Sequence, residues 1–158
     1  MQIQRPVRAQ HTYTQRLLAS PEQVFPLLCP VRETEWARGW NPRLVISTSG
    51  YAEAGCIFLT PAEEGESIWV VTGYQPEQHR IAFLKVTPGY TVGEIAIKLY
   101  PEASGSTAAK ITYAFTALSP EGERKVADFT ADAYAEFMRE WEAELNHFLQ
   151  TGRPLHDP

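Results

Sequence analysis

Tyr113 and Glu35 are the side chains whose type and neighbours best suit them to move a proton. Around Tyr113, Ile111, Tyr113 and Phe115 alternate with Lys110, Thr112 and Thr116, so a strand here puts the phenol hydroxyl on the apolar face. Glu35 adjoins Trp36 in a charged cluster with Arg32, Glu33 and Arg38. A carboxyl pressed against apolar surface has a raised pKa and serves as a general acid or base. The competing reading is a solvated helix face whose charges pair locally, and Glu35 is the residue that separates the two. Arg38 and Arg43 are candidates to hold a ligand carboxylate.

Other chemistry lacks a motif. No glycine-rich phosphate loop, GxSxG elbow or HExxH pair is present, and His11, His79, His147 and His156 are scattered. Cys29 and Cys56 stand alone without metal-ligand spacing, which predicts two buried reduced thiols. No metal site and no cofactor is expected.

The stronger signal is aromatic. Trp36, Trp40, Phe58, Trp69, Phe83, Tyr113, Phe137 and Trp141 could together line a pocket, since ligand sites are mostly apolar with a few polar groups that fix orientation. The same rings would equally well fill a dry core.

These residues must be positioned by a β-rich chain closed by helix. From Ser119 to Gln150 apolar groups recur at Val126, Phe129, Ala133, Phe137, Trp141, Leu145 and Phe148, the period of one long amphipathic helix. Ser119-Pro120 is its start signal, and Gly152 with Pro154 its stop. Upstream, His11–Leu18 reads as a strand. Ser20-Pro21-Glu22 opens a short helix, and a second, from Pro30, puts Trp36 and Trp40 on one face. Six strands then follow at meander spacing, over residues 43–50, 56–60, 67–74, 79–86, 91–100 and 106–118, with a turn at 63–66. In the fifth, Ile95, Ile97 and Leu99 share the inner face, opposite Glu94, Lys98 and Tyr100. Both faces of 67–74 and 79–86 are partly apolar, so the direction of Tyr74, His79 and Lys85 stays open.

The 158 residues, of 17.8 kDa, suit one domain over 11–150, with an N-terminal extension at 1–10 and a tail at 151–158. A net charge of −5 argues against a nucleic-acid partner held by overall basicity. No apolar run is long enough for an integral membrane segment. The polar N-terminus lacks the apolar centre of a signal peptide, from which a cytoplasmic location is expected.

Leu17–Trp40, LLASPEQVFPLLCPVRETEWARGW, and Ala133–Leu149, AYAEFMREWEAELNHFL, resemble the opening and closing segments of the SRPBCC superfamily, which includes START, Bet v 1-like and polyketide cyclase-like domains. The resemblance covers His11 to Gln150. It implies an α+β helix-grip fold: a curved antiparallel sheet of about seven strands, two short helices and one long C-terminal helix. It also implies a cavity between sheet and helix for a hydrophobic small molecule or lipid.

Binding, transport or sequestration of such a molecule is the function expected, by a monomer or a homodimer. The alternatives are a cyclase or dehydratase acting on an aromatic or polyketide-like substrate through Tyr113 or Glu35, and a protein-interaction module. A carrier would depend most on bulk at Phe137 or Trp141, an enzyme on the proton-bearing groups.

Overall fold

A computed structural model describes residues 1–63 and 65–156. Glu64, in the turn expected at 63–66, and Asp157 and Pro158 of the tail lie outside it. Its strands are β1 (Arg8–Leu17), β2 (Leu44–Ile46), β3 (Ile57–Pro61), β4 (Glu66–Gln75), β5 (Arg80–Thr87), β6 (Thr91–Pro101) and β7 (Thr107–Ala117). They form one antiparallel sheet in the order β1-β7-β6-β5-β4-β3-β2. Successive strands from β2 to β7 are neighbours, and β1 closes beside β7.

Alternation sets the concave face. Ile95, Ile97 and Leu99 of β6 are buried while Glu94 and Tyr100 are exposed, the parity the sequence predicts. In β4 and β5 the inner residues are Ser67, Trp69 and Val71, and Ile81 and Phe83. The pairing of β4 with β5 slips between Val71 and Gly73, where Thr72 is the extra residue. One extra residue reverses the parity that follows, so Tyr74 turns inward onto the Phe25 ring at 5.7 Å. His79 is not on a strand; it caps a 3-10 turn at φ 52°.

The helical elements depart from the sequence expectation in two places. Before β2, only Pro21–Val24 is α-helical (α1), and the segments Phe25–Leu28 and Arg32–Glu35 are 3-10 turns. Pro26 forbids a longer helix in the first segment. Trp36 and Trp40 follow the second turn and do not share a helix face.

At the C-terminus the single helix expected from Ser119 is two, α2 (Pro120–Asp128) and α3 (Ala131–Thr151). Ser119 caps α2 as expected, its side chain accepting from the Gly122 N–H at 3.1 Å. Phe129 leaves the helical region, with φ −79° and ψ 67°, and Thr130 caps α3 by accepting from the Ala133 N–H. The His11 Nε2–H donates to the Phe129 carbonyl at 2.8 Å, so the break satisfies its own orphan acceptor. Restarting at Thr130 also resets the apolar phase. Tyr134, Met138 and Leu145 are the buried residues of α3, while Ala133 and Phe137, predicted for the stripe, are exposed. Gly152, at φ 69°, ends α3 where the sequence places its stop.

Hydrogen bonds to the β1 edge fix α3 over the sheet. Glu142 accepts from the Arg16 N–H at 2.6 Å, and Asn146 bridges the Leu18 N–H and the Arg16 carbonyl at 2.8 and 2.9 Å. Buried Gln15 donates to the Met138 carbonyl at 2.9 Å. The unpaired groups of an edge strand are thereby used to hold the helix. Cys29 and Cys56 are free and buried.

Candidate functional site

The segment 30–40, the sheet and α3 do not close completely. They leave a cavity of about 190 Å³, lined by Trp40 from the segment, Phe58, Trp69 and Phe83 from β3–β5, Ile95 and Ile97 from β6, and Tyr113 from β7. Phe137 and Trp141 of α3 complete the apolar wall, with Arg38, Glu140 and Glu144 also in the lining. Seven of the eight aromatic residues predicted for a pocket therefore line one. Trp36 is the eighth and stands behind the lining: it is buried, its indole N–H donates to the Leu27 carbonyl at 3.0 Å, and its ring supports Trp141 at 5.3 Å.

The rings brace one another. Phe58 stacks on Trp69 at 5.3 Å, and Phe83 meets both edge-on at 6.1 Å. The Trp40 indole N–H donates to the Pro30 carbonyl at 2.7 Å, and that of Trp69 to the Thr60 hydroxyl at 2.9 Å. These two donors are consumed by the scaffold and are not free for a ligand.

Glu33 and Tyr113 are the polar groups deepest in the lining. Glu33 is 9% exposed, and burial raises its carboxyl well above the ordinary 4.5. Its backbone is held by the 3-10 turn, its carbonyl accepting from the Ala37 N–H at 2.8 Å. The carboxyl itself has no hydrogen-bond partner among the described residues, and neither has the Tyr113 hydroxyl. Burial pushes Tyr113 up from its ordinary 10.0, and the nearby Glu33 carboxylate pushes it further. Tyr113 is therefore protonated at neutral pH and can donate to a guest, and burial favours the protonated, donating form of Glu33.

The carboxyl in the cavity is thus Glu33 and not Glu35. Glu35 points outward and pairs with Arg32, both nitrogens of the guanidinium fork meeting its two oxygens. The two glutamates lie two residues apart on a tight turn, and only the position of the turn against α3 decides which is buried. Arg43, the other candidate carboxylate holder, is committed to Glu66 on the surface.

Lys85 is also on the concave face, outside this cavity. Its ammonium lies 4.9 Å from the Trp69 ring centroid and 6.0 Å from that of Phe115, and burial, with Lys125 nearby, lowers its pKa. Gly93 makes this possible. A Cβ there would fall 2.6 Å from the Phe115 ring, which lies across the glycine towards Lys85.

No family model matches the sequence, and no curated protein matches it. Solved structures do. Norcoclaurine synthase from Thalictrum flavum, as a point mutant with a transition-state analogue, superposes with a TM-score of 0.67 at 15% identity, over 95% of this chain and 100% of that one. Another structure of that synthase holds dopamine and hydroxybenzaldehyde. The Mll3558 protein from Rhizobium loti superposes with a TM-score of 0.66 at 14% identity, over 90% of this chain and 100% of that one. DynU16, from the dynemicin biosynthetic locus, gives 0.61 at 16%, over 92% of this chain and 48% of its own. Sheet order, long C-terminal helix and these likenesses together show that the chain has the Bet v 1-like helix-grip fold.

Proposed function

We propose that the protein binds a small, largely apolar molecule of one or two rings between α3 and the sheet, with Glu33 and Tyr113 orienting it by hydrogen bonds. The observation that carries this reading is the pair of polar groups, without side-chain partners among the described residues, inside a largely apolar cavity. A guest that hydrogen-bonds to either group gains about 0.5–1.5 kcal/mol per bond. Size supports the same class. An apolar cavity of about 150 Å³ takes benzene, and the space here is about 190 Å³. A whole lipid is too large for it. The synthase that shares this fold is itself seen with single-ring molecules.

A second reading is an enzyme of the cyclase or dehydratase type, favoured by the burial-raised carboxyl of Glu33. A protonated carboxyl in a water-poor site is a general acid, and its conjugate base completes the cycle.

Native mass spectrometry of freshly purified protein, followed by organic extraction, tests the binding reading. The expected result is an added mass lost on denaturation, belonging to a one- or two-ring compound. A bare mass, with no saturable tryptophan quenching by simple phenols, indoles or aromatic amines, overturns it. Glu33→Gln and Tyr113→Phe separate the two readings: an enzyme loses turnover while retaining affinity, and a carrier shows only an affinity change.

A further inference from the structure

We propose that the cavity selects an organic cation, an amine or quaternary ammonium carried on an apolar body of one or two rings. This rests on the reading of the cavity as a binding site and adds the charge of the guest. The polar lining is lopsided: three carboxyl groups, Glu33, Glu140 and Glu144, face the same space as one guanidinium, Arg38.

Among the described residues, Arg38 is the one cation in the lining. It is exposed to solvent, where its charge is screened, and the contact it makes with Glu144 runs through its backbone N–H at 2.9 Å. Glu144 is also 4.0 Å from the His156 ring. Arg32, on the same turn as Glu33, is taken by Glu35 on the outer surface. From β7 the group nearest in kind is Tyr113, which is neutral, and the strands β3 to β6 present apolar side chains there.

An ammonium group is what such a lining recognises. An aromatic ring attracts a cation to the negative side of its quadrupole, most strongly for tryptophan; Trp69 already carries Phe58 and the Lys85 ammonium, which leaves Trp40 and Trp141 as the tryptophans of the lining for this role. The buried carboxyl of Glu33 then supplies the counter-charge. Burial raises the pKa of that carboxyl in the free protein, so below the raised value entry of a cation releases its proton to solvent. Written out, the protonated carboxyl and the free cation become the carboxylate–cation pair and one aqueous proton. Charge and atoms balance, and no other reactant is needed.

One-proton coupling fixes the pH dependence. Affinity for a permanent cation rises about tenfold per pH unit until Glu33 is ionised in the free protein, and is flat above. A neutral guest of the same shape shows no such rise.

The test uses phenyltrimethylammonium and its neutral isostere tert-butylbenzene, with affinities measured by tryptophan fluorescence and protons counted by calorimetry in two buffers. The expected result at about pH 8 is a preference of at least tenfold for the cation, with proton release at lower pH. Glu33→Gln should lose the proton release and most of the preference. Equal affinities in the wild type, or a preference undiminished in Glu33→Gln, overturn the cation proposal and leave the binding reading standing. Failure of both probes to bind overturns both. Should the variant fail to fold, the wild-type pH dependence and proton count decide alone.

Discussion

Glu33 and Tyr113 reach one aromatic cavity from opposite walls, Glu33 from a 3-10 turn and Tyr113 from β7, and Glu33 makes ionisation of Tyr113 still less favourable. Neither group has a partner among the described residues. Burial of the Glu33 carboxyl costs stability wherever that group is ionised.

The cost of Glu33 has a definite pH signature. Its folded-state pKa lies above the ordinary 4.5, so the native state holds that proton more tightly than the unfolded chain. Relative stability is therefore full below about pH 4.5 and is lost as pH rises through the folded value. Urea midpoints of wild type and Glu33→Gln should nearly coincide near pH 4 and diverge towards pH 8. The variant should then be the more stable of the two. A gap independent of pH would mean that the carboxyl titrates normally.

Gly122 predicts a reversal of the usual helix rule. In a helix interior glycine to alanine gains about 1 kcal/mol. Here a Cβ would lie 1.8 Å from the Tyr90 carbonyl oxygen, which accepts from the Leu118 N–H. Gly122→Ala must push α2 off the sheet and should destabilise by about 1–3 kcal/mol. Thermal or chemical denaturation reads the sign directly.

Phe137 and Trp141 should separate binding from stability. Phe137 is 48% exposed, with its ring 6.1 Å from that of Tyr113. Phe137→Ala is expected to cost under about 1 kcal/mol in stability while weakening binding of a small aromatic. Trp141 packs on the buried Trp36, so Trp141→Ala should lower both, stability by about 3 kcal/mol. Melting curves with and without 2-naphthol distinguish the two effects.

Lys85 predicts a substitution that stabilises. Burial and the nearby Lys125 lower its pKa, so the charged form is disfavoured in the folded state. Lys85→Met should raise the melting temperature by about 2–4 °C near neutral pH. The gain should shrink towards about pH 10, as the wild-type lysine sheds its proton in both states. A melting temperature lowered at neutral pH would show that the contacts with Trp69 and Phe115 outweigh desolvation.

Much of this was legible in the residues because alternation and helical period report directly on burial. The inward set Ile95, Ile97, Leu99 and Ile111, the Ser119 cap and the Gly152 stop lie where their types require. The local period could not show the break at Phe129, because a hydrogen bond from His11, distant in sequence, stabilises it. Nor could strand parity survive the extra residue at Thr72. The choice between Glu33 and Glu35 was hidden for a similar reason. Both belong to one charged tetrad, and burial of one follows from packing of that turn against α3 and the sheet. One local signal existed: Arg32 and Glu35 are spaced to pair with each other, which leaves Glu33 the unpaired carboxyl.

A crystal structure of the protein grown with saturating 2-naphthol shows whether the space between α3 and the sheet is a binding site. The expected result is the ring system between Trp69 and Trp141, with its hydroxyl within hydrogen-bond distance of Glu33 or Tyr113. A structure in which Phe58, Phe83 and Trp141 close up to fill that space, with naphthol absent or bound elsewhere, would contradict it.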